Sequence, residues 1–144
     1  ADLLVPGGVF LLRDDHPLLD ALGYESLTVT EDYLSGTGSI DYESDESYVE
    51  GSAGKIAHTA NHNWRHDFQE IVGSLLTAGL SVEALRESPY AEWKALPFLV
   101  ETECGWTMPE GMPKIPLSFA IVARKPPQGE GSDVDAPRTE QERR

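Results

Sequence analysis

Four histidines and their neighbours are the side chains best suited to chemistry in this sequence, and they fall in two places. His16 closes the run Arg13-Asp14-Asp15-His16, where polarity arrives abruptly after the apolar stretch Val9-Phe10-Leu11-Leu12. In open α/β sheets ligands sit beyond the carboxyl ends of the strands, so these four residues stand where a site is expected. His16 is there either as a proton carrier or as a loop imidazole bonded to a backbone carbonyl. The second group is His58, His62 and His66, spaced i, i+4 and i+8, with Asp67 beside them. On a continuous helix that spacing aligns three imidazoles for zinc, the constellation of a metal-dependent hydrolase. Thr59, Asn61 and Asn63 are poor helix formers, however, so the helix is expected to begin near His66.

The element that must position the second group is the stretch His62 to Leu85. Phe68, Ile71, Val72, Leu75 and Leu76 recur at helical spacing and leave Gln69, Glu70, Ser74 and Thr77 facing outward. Gly79 stands where a helix ends with positive φ, and the following residues alternate, with Leu80, Val82 and Ala84 expected on one side of a strand. A helix running into a strand needs a sheet to lie on. The apolar run at Val9 to Leu12 predicts a strand covered on both faces, hence an interior one, and Ile115 to Lys125 predicts a second buried strand with Pro116 at its start. Residues 24 to 60 carry Gly36, Gly38, Gly51 and Gly54 among Tyr33, Tyr42 and Tyr48. That tract predicts an ordered lid, extended over Leu27 to Leu34 and with room for short β pieces. Ala91 to Leu96 is expected to form a short helical turn. Residues 126 to 144 have almost no apolar content and are expected to be disordered.

Composition narrows the classes of function. The 144 residues fit one domain, 1 to 125, with the tail beyond it. The net charge is -14, and no Lys or Arg occurs from Asp14 to Gly54 while eleven acidic residues do. Such a surface repels phosphate backbones, which argues against nucleic acid as a partner. It is either a solvated acidic face or an attractor of cationic substrates. No apolar run approaches the ~18 residues of a membrane span, and no signal peptide opens the chain, so a cytoplasmic protein without membrane association is expected. Cys104 is the only cysteine, which excludes an intramolecular disulfide and a cysteine metal cluster.

The succession Leu3-Leu-Val-Pro-Gly-Gly-Val-Phe-Leu-Leu-Arg-Asp-Asp-His-Pro17, a lid, Trp64-Arg65-His66-Asp67 leading into a helix, Ala78-Gly79-Leu80 and Ile115-Pro116-Leu117-Ser118-Phe119 resembles the carboxyl-terminal half of a class I S-adenosylmethionine-dependent methyltransferase of the bacterial small-molecule type. The resemblance implies an α/β fold, a partial Rossmann-like sheet with a lid insertion. Val9 to Arg13 would be its fifth strand, Asp67 to Ala78 the last major helix, Leu80 to Arg86 the sixth strand, and Leu117 to Lys125 the seventh, antiparallel and inserted between the other two. It implies methyl transfer from S-adenosylmethionine to a small-molecule acceptor. By position, His16 and His66 are the catalytic candidates and Tyr33, His62, Trp64 and Arg65 the acceptor-binding ones. Trp64 serves equally to pack the lid, His66 to pair with Asp67 or backbone, and Arg65 to neutralise the acidic lid. The family's Gly-rich cofactor loop has no counterpart here, so a fragment that is inactive alone is expected. A partial sheet leaves the first strand's outer edge open, which predicts a homodimer through that edge. A non-catalytic module presenting the lid and the Trp93 to Trp106 region is the remaining reading.

Overall fold

The computed structural model describes residues 1–34, 38–44 and 58–127. Seven strands and one α-helix occur among them: β1 (Val9–Asp15), β2 (Ser39–Glu43), β3 (Ala60–Trp64), α1 (Phe68–Thr77), β4 (Ser81–Ser88), β5 (Val100–Thr102), β6 (Gly105–Thr107) and β7 (Ser118–Arg124). They form a three-stranded sheet ordered β1-β7-β4 and two separate hairpins, β2-β3 and β5-β6. Every pairing is antiparallel. The expected α/β fold, a partial Rossmann-like sheet, is therefore overturned. Layered α/β sheets need crossover helices between adjacent parallel strands. Here β7 lies antiparallel between β1 and β4, so no two neighbouring strands are parallel, and α1 is the one α-helix among the described residues.

Local chemistry explains α1 well. Asp67 caps its start by accepting from the Glu70 N–H at 2.9 Å, and Gly79 ends it at φ 77°. The Gly79 N–H then donates to Leu76 O and the Leu80 N–H to Leu75 O, which satisfies two of the last carbonyls. Leu80, buried, ties the helix end to the sheet. Phe68 meets Phe119 of β7 edge to face at 5.0 Å between ring centroids, so α1 covers the face that carries Phe119 and Ile121.

β7 is the buried centre, with Ile121 and Ala123 at 0% exposure. Its apolar run behaves as expected. β1 does not: it lies at the sheet's edge, with Leu11 67% and Val9 48% exposed. A continuous apolar run says that both faces are apolar, but it carries no information about which strands lie alongside. β4 departs from simple alternation because an irregularity at Glu83 places Val82 opposite Ala123 and Ala84 opposite Val122. Val82 and Ala84 thus lie on opposite faces.

A second core gathers Ala91, Leu96, Leu99, Met108 and Leu117. The expected helical turn at Ala91 to Leu96 is absent; Ala91 instead bridges Trp106 in both directions, at 2.8 and 2.9 Å. Gly105, at φ 114°, makes this possible, because a Cβ there would stand 2.5 Å from Ala91 O. Of the expected lid, the described residues form a bridge between Leu22 and Val29 and the β2-β3 hairpin. Residues 35–37 and 45–57 of that lid, and 128–144 of the expected disordered tail, lie outside the described residues. Among the described residues no helix is long and apolar enough to cross a membrane.

Candidate functional site

The ends of β1, β4 and β7 meet on one side of the three-stranded sheet. Asp15, the last residue of β1, lies opposite Ser118, the first of β7, and Ser118 lies opposite Ser88, the last of β4. Over this end closes the segment around Trp93, whose Nε1–H donates to Asp15 Oδ2 at 2.7 Å. Arg13, Asp14, Asp15, Glu92, Trp93 and Ser118 line a cleft of about 190 Å³. Arg13 pairs with Glu92 at 2.9 Å across its rim. Burial pushes the Asp15 carboxyl above its ordinary range, opposed by the Trp93 hydrogen bond and reinforced by Asp14, Asp20 and Glu92. Asp20 is raised for the same first reason, and Arg65 opposes that rise. The cleft therefore sets the exposed Asp14 and Glu92 beside the half-buried Asp15, like charges that repel one another.

His16 sits just behind the cleft, 5% exposed. The chain turns there into a 3₁₀ helix, Pro17–Ala21, and His16 caps it: its Nδ1 accepts from the Leu18 N–H at 3.0 Å. That leaves the Nε2 proton for Glu87 Oε1, at 2.9 Å. Phe68 stands edge-on to the imidazole at 4.9 Å between centroids, with Phe119 beyond it at 6.5 Å. Both ring nitrogens are committed, so the geometry makes His16 a positioning residue that joins the β1 end, α1 and the β4 end.

The other sequence candidates do not gather in the cleft. His66 is half exposed and its Nδ1 lies 2.9 Å from Glu70 Oε2, one turn along the helix. His62 lies on β3 opposite Asp41 of β2, Nδ1 to Oδ1 2.8 Å, and this contact holds the Asp41 carboxyl below its usual range. Trp64 ends β3 with its ring 6.4 Å from that of His62. Tyr33 is half-buried on the irregular segment before β2. Arg65 is the best placed of them: largely buried, it donates to Glu31 Oε2 at 3.3 Å and its charge opposes the Asp20 rise, while its Nε has no hydrogen-bond partner among the described residues.

The three-histidine reading loses its premise, because His62 is on a strand and the helix begins only at Phe68. Among the described residues no group of three or more ligating side chains is placed to hold a metal. Glycines with positive φ among them are Gly7, Gly38, Gly79, Gly105 and Gly111. None lies in a loop running from a strand into a helix, where backbone N–H groups would cradle the phosphates or ribose of a nucleotide cofactor. Sequence reasoning missed Glu87 and Glu92, and placed Trp93 on an interaction surface, not at this cleft. Trp93 reaches Asp15 across 78 positions and Glu87 reaches His16 across 71, so no local signal marks them.

No protein-family model matches this chain, and no curated protein or solved structure does.

Proposed function

We propose that this chain is the acceptor-binding part of an S-adenosylmethionine-dependent methyltransferase for a small molecule, and that it does not transfer methyl groups alone. The antiparallel sheets lend this reading no support from fold. It rests on the resemblance of the segments around Leu3 to Pro17, Trp64 to Asp67 and Ile115 to Phe119, and above all on the cleft at the mouth of β1. A volume of about 190 Å³ suits a small polar molecule and not a macromolecule. Trp93 offers a flat apolar wall, Asp14 and Asp15 accept hydrogen bonds, and Asp15, raised by burial, is the group best placed to take a proton from an acceptor. His16 fixes the floor. In this reading the described residues serve the acceptor, in keeping with a sequence that has no Gly-rich cofactor loop.

The test is calorimetric titration of S-adenosylmethionine and S-adenosylhomocysteine into this chain and into a polypeptide extended upstream. Binding to the extended polypeptide alone supports the proposal. Binding to neither sinks it and leaves a non-catalytic interaction module, the reading favoured by the edge position of β1 among the described residues.

A further inference from the structure

Antiparallel pairing gives each residue of an edge strand one of two backbone orientations. The Lys125 N–H donates to Gly8 O at 2.9 Å and the His16 N–H to Leu117 O at 3.0 Å. With Val9 opposite Arg124 and Asp15 opposite Ser118, the even-numbered residues Phe10, Leu12 and Asp14 turn their backbone groups toward β7. Val9, Leu11, Arg13 and Asp15 turn theirs away. The outward N–H of Asp15 is taken by Asp14 Oδ1 at 2.9 Å. Those of Val9, Leu11 and Arg13 face no strand among the described residues.

The two edges of this sheet differ. β4 carries Glu83, Arg86 and Glu87 and an irregularity at Glu83, devices that discourage strand addition. β1 pairs without irregularity along its length and gathers its charges, Arg13 to Asp15, at one end, leaving four uncharged residues in a row, Val9 to Leu12. Its outward backbone groups belong to the residues whose side chains share a face with Val122 and Ala84, opposite the face α1 covers. Backbone valences and an exposed apolar strip therefore coincide on one edge.

We propose that β1 pairs antiparallel with β1 of a second copy about a two-fold axis at Leu11. In this register Leu11 opposes its own counterpart and Val9 opposes the counterpart of Arg13, each pair exchanging both backbone hydrogen bonds. Charge selects the same arrangement. Arg124 Nη1 donates to Gly7 O and Lys125 Nζ to Leu4 O, both at 2.9 Å; Glu83 pairs with Arg124 at 2.6 Å, so Lys125 leaves the strand's start with one excess positive charge. Its end carries Asp14 and Asp15. The two-fold axis lays Asp15 of one copy beside Gly7 of the other, so each acidic end meets a basic one. The net charge of -14 opposes association, but charges remote from the edge are screened beyond ~8 Å at physiological salt. This proposal does not depend on the methyl-transfer reading.

Sedimentation equilibrium of the intact chain, from micromolar to millimolar, tests it together with amide hydrogen exchange. A concentration-dependent dimer is expected, with the Leu11 amide gaining protection as dimer forms while Phe10 and Leu12 stay protected throughout. Leu11→Lys leaves an exposed side chain exposed in the monomer, but sets two like charges face to face at the axis. It should weaken the dimer at least several-fold with an unchanged circular dichroism spectrum. Leu11→Pro removes the outward donor and should weaken it about tenfold or more. A monomer at every concentration overturns the proposal, as does a dimer indifferent to Leu11→Lys. A Leu11 amide protected in the monomer also overturns it, since another segment of the same chain would then cover the edge.

Discussion

Replacing His16 separates an architectural histidine from a reactive one. In His16→Ala the cap on the Pro17–Ala21 turn is lost, at a cost of about 1 kcal/mol. The contact with Glu87 goes as well; Glu87 is more than half exposed, so solvent screening holds that contribution to about 1 kcal/mol. Loss of the edge-on packing by Phe68 adds roughly 1 kcal/mol. The sum, about 3 kcal/mol, corresponds to a fall of roughly 10 °C in the unfolding midpoint of a domain this size. Scanning calorimetry on His16→Ala, Glu87→Gln and the double variant gives the coupling directly. His16→Asn, which retains a capping oxygen, should recover about 1 kcal/mol of the loss. A midpoint for His16→Ala within ~3 °C of the parent would refute the reasoning. The imidazole would then be dispensable to the fold and available for chemistry.

Other perturbations address the cleft and the two cores. The Asp15 carboxyl is raised above its ordinary 3.8, so its contribution to stability is fully present below that pH and is lost as pH rises through the raised value. Asp15→Asn, which still accepts from Trp93, should therefore raise the melting temperature at neutral pH, with the gain vanishing in acid below 3.8. A gain that persists there would contradict the assignment. Gly105→Ala forces a Cβ against Ala91 O at positive φ and should cost about 2 kcal/mol or more, read by urea unfolding followed through Trp106 fluorescence. Ile121→Ala, fully buried on the central strand, should cost roughly 3 to 4 kcal/mol in the same assay.

Local chemistry was legible where it is self-contained. Asp67, Glu70 and Gly79 mark the two ends of α1 in their own residue types, and the apolar run before Lys125 marks β7. The same kind of run misled at β1. Val9 to Leu12 predicted an interior strand, yet Leu11 lies open, because hydropathy reports the faces of a strand and not its neighbours in the sheet. Glu83 hides an irregularity that no alternation count reveals, and Ala91 to Leu96, helical by composition, is drawn instead onto Trp106.

The candidate site was legible only in part. Arg13, Asp14, Asp15 and His16 were marked by the abrupt polarity after an apolar run, and the structure places them at a cleft or against its floor. His58, His62 and His66 formed a pattern that had meaning only on a helix, and the β2-β3 hairpin removed it. The sequence by itself determined which segments cap, turn, extend or stay polar, since those depend on side chains within a few positions. Tertiary structure alone decided that Glu87 would occupy the Nε2 side of His16 and that Trp93 would bond Asp15. Each of those outcomes joins residues far apart in the chain, and the register of β7 between β1 and β4, which no local signal encodes, sets the distances between them.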